Sequence, residues 1–327
     1  MKYRNFSDLG WKVSEIGLGC WQIGWCWGDV SDMEARDVLK EALDNGVNFF
    51  DTSDTYGDGR SESFLSELIK STSERIYVTT KLGRRIRGTN YPKGYKHHPM
   101  EEFIDRSLKN LGIECIDLVQ LHCPPLEIIK KKETFEKMDE FVKKGKIANY
   151  GVSVHTIEDA MEAIKYPNVK SIQMVFNIFR QKPAENFLKI ANDKNVAIIA
   201  RGPLASGLLT GEINKNTKFA DNDHRNYNIK GEAFDVGDTF SGVNLEKGLV
   251  AIEELKKLVP QNFTLSDLAL KWILMHEAVT VVIPGATNKI HVGKNIRASD
   301  LNDISSILSD INSVYDEFIK PDVHNRW

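Results

Sequence analysis

Two rhythms of apolar and polar positions alternate along this chain. Short apolar runs, rich in β-branched and aromatic residues, recur at 16–19, 47–50, 76–80, 116–121, 147–152, 171–175, 196–200 and 279–283. Runs of that length, bounded by polar and turn residues, read as buried strands. Between them, apolar residues return every three or four positions. That period predicts helices over 61–69, 99–111, 128–144, 157–164, 186–195, 265–276 and 289–298, with an amphipathic segment over 304–319. The first helix starts at Ser31, where Glu34 has the spacing of a capping box; Val38, Leu39, Ala42 and Leu43 form its inner stripe, and Gly46 stops it. Residues 2–15 read as a hairpin turned at Asp8-Leu9-Gly10.

Eight strands, each followed by a helix, predict an α/β fold of the (β/α)8 TIM-barrel type, with a doubly wound open sheet as the alternative. The hairpin would plug the barrel bottom. No linker or compositional shift divides the chain, so 1–327 is expected to be one domain. The pattern fails once, between Gly202 and a helix at Leu245, just before the last strand. A loop that long, leaving the active rim, is expected to act as a lid or substrate loop.

Barrels of this class carry their reactive groups at the C-terminal ends of the strands. Asp51, Lys81, His122, Ser153 and Arg201 all fall at such ends, and Tyr56 follows Asp51 by five positions on the outgoing loop. Each has an ordinary structural use, as cap, packed tyrosine or snorkelling lysine. Their coincidence on one rim is what points to a site.

Composition narrows the partners. With 43 basic and 46 acidic residues the net charge is −3, so no global basic field favours nucleic acid or anionic lipid. No stretch approaches a membrane span, and the N-terminus has no apolar signal core. Cys20, Cys26, Cys115 and Cys123 show neither a CxxC nor metal-ligand spacing. A cytoplasmic protein with reduced thiols and no bound metal is expected.

The stretches DTSDTYGDG, VTTKLG, LGIECIDLVQLHCPP, GVS at 151–153, GPLASGLLTG and IPGATNKIHVGKN together resemble the aldo-keto reductase family, in order from Gly17 onward. The resemblance implies NAD(P)H-dependent interconversion of a carbonyl and an alcohol, with Asp51, Tyr56, Lys81 and His122 as a catalytic tetrad. The chemistry agrees. An unperturbed tyrosine, with a pKa of about 10, is a poor acid–base group near neutrality. A lysine ammonium at ~4 Å and an effective dielectric near 20 would favour the phenolate by ~4 kcal/mol, enough to lower that pKa by up to ~3 units, with desolvation opposing it. Asp51 would orient Lys81, and His122 would donate to the carbonyl oxygen.

The segment GLGCWQIG at 17–24 starts like a dinucleotide fingerprint, but Gln22 replaces its third glycine and a Trp-rich loop follows. A Rossmann half-domain is therefore disfavoured. By resemblance the cofactor lies across the barrel mouth, touching Gly19, Cys20, Trp21 and Asp51. Ser153 and Gln173 match positions that hold the carboxamide, and Val154 stands where the family often has Asn. Arg201 replaces an aromatic residue that stacks on the nicotinamide in many members, a role its guanidinium plane can share. Gly202, Pro203, Leu204, Gly207 and Leu208 resemble the loop that grips the pyrophosphate. Ile283, Pro284, Gly285, Ala286, Thr287, His291 and Asn295 would hold the adenosine end. Members preferring NADP often carry Lys or Arg at positions filled here by Gly285, Thr287 or His291; Lys289, Lys294 and Arg297 still keep the region basic. NADP(H) is expected, with NAD(H) the alternative. Trp21, Trp25 and Trp27 would wall a pocket for a small carbonyl or alcohol. Oligomeric state is left open. Competing readings are a non-catalytic nicotinamide-binding regulatory subunit and a Schiff-base lyase using Lys81.

Overall fold

The computed structural model describes residues 1–84 and 100–327. Tyr3–Phe6 (β1) and Trp11–Ser14 (β2) pair antiparallel as the expected hairpin. Leu18–Gly19 (β3), Phe49–Asp51 (β4), Tyr77–Leu82 (β5), Ile116–His122 (β6), Ile147–Ser153 (β7), Val169–Val175 (β8), Ala197–Arg201 (β9) and Val279–Val282 (β10) form one eight-stranded sheet. All its ladders are parallel and follow chain order. The ends meet where Gly17 N–H donates to Val282 O at 2.8 Å and Gly19 N–H to Pro284 O at 3.0 Å. The sheet therefore closes as the (β/α)8 barrel.

Side chains alternate in and out along each strand, which sets up layers inside the barrel. Phe49, Leu118, Ala197, Ile199 and Val281 fill the lower interior against Phe6 and Val13 of the hairpin. Phe6 stacks on Phe49 at 5.6 Å and Trp11 on Tyr77 at 4.7 Å, so the plug is aromatic. Two residues further along the same strands the inward positions turn polar. The ladders set Asp51 beside Thr79, Lys81 beside Gln120, His122 beside Ser153, and Ser153 beside Gln173. Gly151 is required here, because a Cβ would lie 2.0 Å from Ser171 Oγ and 2.6 Å from Ser171 O.

The helices bury their apolar stripes against the outside of the barrel. The helix Asp32–Asp44 begins with the expected capping box of Ser31 and Glu34 and buries Val38, Leu39 and Ala42. Three segments differ from the pattern. The run expected over 128–144 is a turn at Leu126–Ile129 and a helix at Lys132–Lys143, separated by Lys131 in extended backbone (φ −84°, ψ 115°), with the Thr134 hydroxyl donating to Ile128 O at 3.0 Å across the break. A single helical turn, Trp21–Gly24, stands where a Trp-rich loop was expected. The helix expected from 99 is described as Met100–Leu111; Pro99 lies outside the described residues. Among the described residues no helix is long and apolar enough to cross a membrane.

The segment before the last strand is folded, with short turns at Ala205–Thr210, His224–Tyr227, Val236–Asp238 and Phe240–Gly242. Polar side chains hold it rather than an apolar stripe. Asn228 Oδ1 accepts from the N–H groups of Ala233 (2.8 Å) and Phe234 (3.0 Å), and Asp235 Oδ1 accepts from Gly237 N–H at 2.7 Å. Such contacts leave no periodic signature in the sequence.

Candidate active site

Above the polar layer a cleft of about 730 Å³ opens at the C-terminal ends of the strands. Asp51 ends β4 and Lys81 lies near the end of β5, both pointing inward. Lys81 Nζ donates to Asp51 Oδ1 at 2.5 Å, to Thr52 O at 2.8 Å and to Tyr56 Oη at 3.2 Å. Gln173 Nε2 donates to the other Asp51 oxygen at 2.6 Å. All the hydrogen-bonding capacity of this buried ammonium is thus used.

Tyr56 reaches this group from a loop held by close backbone packing. A Cβ on Gly24 would lie 2.7 Å from Tyr56 Cβ, and one on Gly57 would lie 2.5 Å from Gly24 O. Gly57 also has φ +66°, which suits glycine. Trp21 stacks on the Tyr56 ring at 6.1 Å, and His122 meets its edge at 6.3 Å. His122 Nδ1 lies 3.4 Å from Ser53 Oγ, so its other ring nitrogen is the one left for a ligand.

The electrostatics differ from the sequence expectation in one respect. Burial raises the Tyr56 hydroxyl above its ordinary range, and Lys81 only partly opposes this. The loss of water around the buried hydroxyl is the larger effect, and the Asp51 carboxylate, 2.5 Å from Lys81, offsets part of the field that the ammonium exerts on the phenol. Burial also works against the Lys81 charge, but Asp51 and Tyr56 outweigh it and hold the ammonium above its usual pKa. Burial and neighbouring cations keep His122 neutral, well below the usual imidazole value. The site rests with a protonated phenol, a charged lysine and a neutral histidine.

Most other expected positions line the same cleft. Gly19, Trp21, Ser153, Gln173 and Arg201 do so at one end; Gly202, Pro203, Leu204 and Gly207 follow. Ile283, Pro284, Gly285 and Ala286, then Thr287, His291 and Asn295, line the other end. Cys20 and Leu208 bury their side chains in the core, so either would meet a cofactor only through its backbone. Cys20 meets the site only through its backbone, whose N–H donates to Asp51 O at 2.8 Å.

Arg201 is paired with Asp238 from the folded loop, and its Nη2 donates to Val154 O at 3.3 Å. Its Nε is buried with no hydrogen-bond partner among the described residues. Other residues of the site escaped the sequence reading. His224 stacks on Trp21 at 4.8 Å and edge-on to Trp27 at 4.7 Å; Phe234 adds an edge to Trp21 at 5.8 Å. Arg225 lies 4.7 Å over Trp27 and 4.4 Å over Phe219. Trp25, by contrast, is 57% exposed at the rim. The loop thus roofs the tryptophans expected to wall a pocket.

The sequence profile described as the Aldo/keto reductase family matches residues 15–315. The chain belongs to the aldo/keto reductase family. Among curated relatives, it is 30% identical over 335 residues to the aldo-keto reductase YhdN of Bacillus subtilis, covering 98% of each chain. It is 29% identical to a probable voltage-gated potassium channel subunit beta of Arabidopsis thaliana, covering 92% of each. Among solved structures, the aldo-keto reductase AKR11C1 from Bacillus halodurans in its holo form superposes with a TM-score of 0.76 at 25% identity, over 100% of this chain and 99% of that one. Membership makes this chain an oxidoreductase.

The cleft of this aldo/keto reductase suits an extended nicotinamide dinucleotide. Gly202, Ala205, Ser206 and Gly207 all have positive φ, and the tight turn they make is closed by Ala205 N–H on Gly202 O at 3.0 Å and Gly207 N–H on Leu204 O at 2.9 Å. At the far end, Asn288 caps the helix Lys289–Arg297 by accepting from His291 N–H at 3.0 Å, and Asn295 Nδ2 donates to Gly285 O at 3.2 Å. Gly19 has no Cβ to fill the floor, where one would lie 2.9 Å from Ile283 O. Polar strand ends, a tight glycine-containing turn and a helix N-terminus in one cleft fit such a ligand.

Proposed function

We propose that this aldo/keto reductase uses NADP(H) to reduce aldehydes or ketones reversibly to alcohols, with Tyr56 as the general acid and base. The observation that carries the reading is Lys81 Nζ lying 3.2 Å from Tyr56 Oη and 2.5 Å from Asp51, at the floor of the cleft. When bound, the reduced nicotinamide supplies a hydride to the carbonyl carbon. Ser153 and Gln173 would hold its carboxamide, and Arg201 would lie along its ring. The phenol keeps its proton until an oxygen becomes more basic than it. As negative charge grows on the carbonyl oxygen, Tyr56 gives up its proton, and Lys81 stabilises the phenolate left behind. Neutral His122 donates a hydrogen bond to the same oxygen. The preference for NADP(H) over NAD(H) rests on Lys294, which lines the adenosine end of the cleft; Arg297 is turned instead to Asp267 and Asn262.

A lysine poised for Schiff-base chemistry must lose its proton. Lys81 is 1% exposed, satisfied by three acceptors and held in its charged form, which disfavours the lyase. The similarity to a channel subunit keeps a second reading in play, a nicotinamide-binding regulatory subunit. Both are tested by oxidation of NADPH with a panel of aldehydes, ketones and sugars. Tyr56→Phe is expected to lower turnover by about 10²–10⁴-fold while leaving NADPH binding nearly unchanged. Tight binding with no turnover on any carbonyl would favour the regulatory subunit.

A further inference from the structure

The cleft contains a second reactive group that carbonyl reduction does not use. Cys123 directly follows His122, and its sulfur lines the cleft although the residue is only 2% exposed. Its backbone stands at φ +48°, a region that residues with side chains rarely occupy. Ser153 Oγ lies 3.5 Å from the sulfur, and Arg201 Nη2 approaches it at 3.9 Å. His155 Nδ1 lies 3.4 Å from the same Arg201 Nη2. The imidazole is oriented in turn by Arg84, whose Nη2 lies 2.9 Å from His155 Nε2.

Arg84 after β5, His155 after β7 and Arg201 ending β9 thus gather around this thiol, and Arg201 Nη2 is the donor that reaches it. Two carboxylates face the cluster from the folded loop. Asp238 pairs with Arg201 through one oxygen and lies 3.8 Å from Arg84 Nη1 through the other, and Asp235 lies 3.8 Å from His155 Nδ1. Such an electropositive pocket favours the thiolate, the nucleophilic form of cysteine. Burial opposes the charge, but His155, Arg84 and Arg201 overcome it and bring Cys123 down to about 6. The other three cysteines go the opposite way. Burial raises Cys20 and Cys115, and it pushes Cys26 up to about 12.

We propose that Cys123 is a thiolate modification site, oxidised by hydroperoxides to a sulfenic acid inside the cleft. The sulfur attacks one peroxide oxygen; an S–O bond forms as the O–O bond breaks. The second oxygen leaves as hydroxide and takes a proton from solvent to become water. Sulfur is oxidised and peroxide is reduced, with no further reagent. Hydrogen peroxide would enter through the cleft that Cys123 lines. With Ser153 Oγ only 3.5 Å from the sulfur, an added oxygen crowds Ser153 and Gln173. Oxidation thereby obstructs the nicotinamide carboxamide. That consequence rests on the cofactor reading above; the thiol chemistry does not.

The test is alkylation of the full-length protein by iodoacetamide across pH, read by peptide mass spectrometry. Labelling of Cys123 is expected to rise with a midpoint near pH 6. At pH 6 it should outpace an ordinary thiol about tenfold, after allowing for the weaker nucleophilicity of a more acidic thiol. His155→Ala should raise the midpoint by about one unit or more. Hydrogen peroxide followed by dimedone should tag the Cys123 peptide. A midpoint at pH 8 or above, or Cys115 labelling first, overturns the proposal. If Cys123 labels as expected but NADPH does not slow it, the obstruction falls with the carboxamide assignment and the thiolate stands.

Discussion

Replacing Lys81 with Met isolates the interaction on which the proposed chemistry depends. The side chain keeps roughly its length and loses its charge, and nothing else in the described structure supplies a cation within hydrogen-bonding reach of Tyr56 Oη. At 3.2 Å and an effective dielectric near 20, an ammonium stabilises a full phenolate by about 5 kcal/mol. The nearby Asp51 cancels part of this, so the net loss in the transition state is roughly 3–5 kcal/mol, or about 10²–10⁴ in rate. Lys81→Met also strands Asp51, which keeps Gln173 as a partner but is almost wholly buried. Breaking one side of such a pair costs about 3–5 kcal/mol of folding stability. The two effects separate in Lys81→Met/Asp51→Asn, where stability should largely return and the rate should not. The assay is NADPH oxidation with a reactive aldehyde under single-turnover conditions, alongside urea denaturation of each variant. A single variant within tenfold of the wild-type rate would refute the electrostatic argument, as would a double variant that recovers the rate.

Three further perturbations probe the frame around the site. Asp238→Asn leaves Arg201 buried without its counter-ion and should destabilise the 202–244 segment by about 3–5 kcal/mol; limited proteolysis there should accelerate, whereas unchanged cleavage would mean the ion pair does not hold the roof. Gly151→Ala drives a Cβ into Ser171 and should cost about 1–3 kcal/mol or more in urea denaturation, with a negligible change refuting the packing argument. His276 is lowered to about 4 by burial, with Phe176 at 5.0 Å and Trp272 at 4.7 Å. Its unfolded pKa is about 6.5, so it leaves stability untouched above that pH; as pH falls from 6.5 toward 4 the unfolded chain binds the proton first and stability drops, by on the order of 2 kcal/mol for a partly exposed ring. Melting temperatures of His276→Phe should therefore fall less steeply over that window than those of the wild type, and parallel curves would contradict the assignment.

Much of the barrel was written in the one-dimensional pattern. A buried parallel strand is a short apolar run and an amphipathic helix has a period near 3.6, so eight strand–helix cycles can be counted without coordinates. The same pattern placed Asp51, Lys81 and His122 at strand ends, because the polar residue that closes each run is visible as such. Tyr56 needed only its distance from Asp51 along the chain. The segment 202–244 was unreadable because Asn228 and Asp235 hold it by individual side-chain hydrogen bonds, which have no period. Its contents became part of the site only when the chain folded back and set His224 and Phe234 on Trp21.

Local sequence therefore determined which elements form and which residues stand at their ends, since both follow from the repeat of apolar positions. Tertiary structure decided the charge states and the contacts between ends. Asp51 and Lys81, thirty residues apart, meet at 2.5 Å and leave Tyr56 holding its proton, and Arg84, His155 and Arg201 converge on Cys123 from three strands. Electrostatic fields depend on distance through space and on burial, and neither is a property of neighbouring residues along a chain.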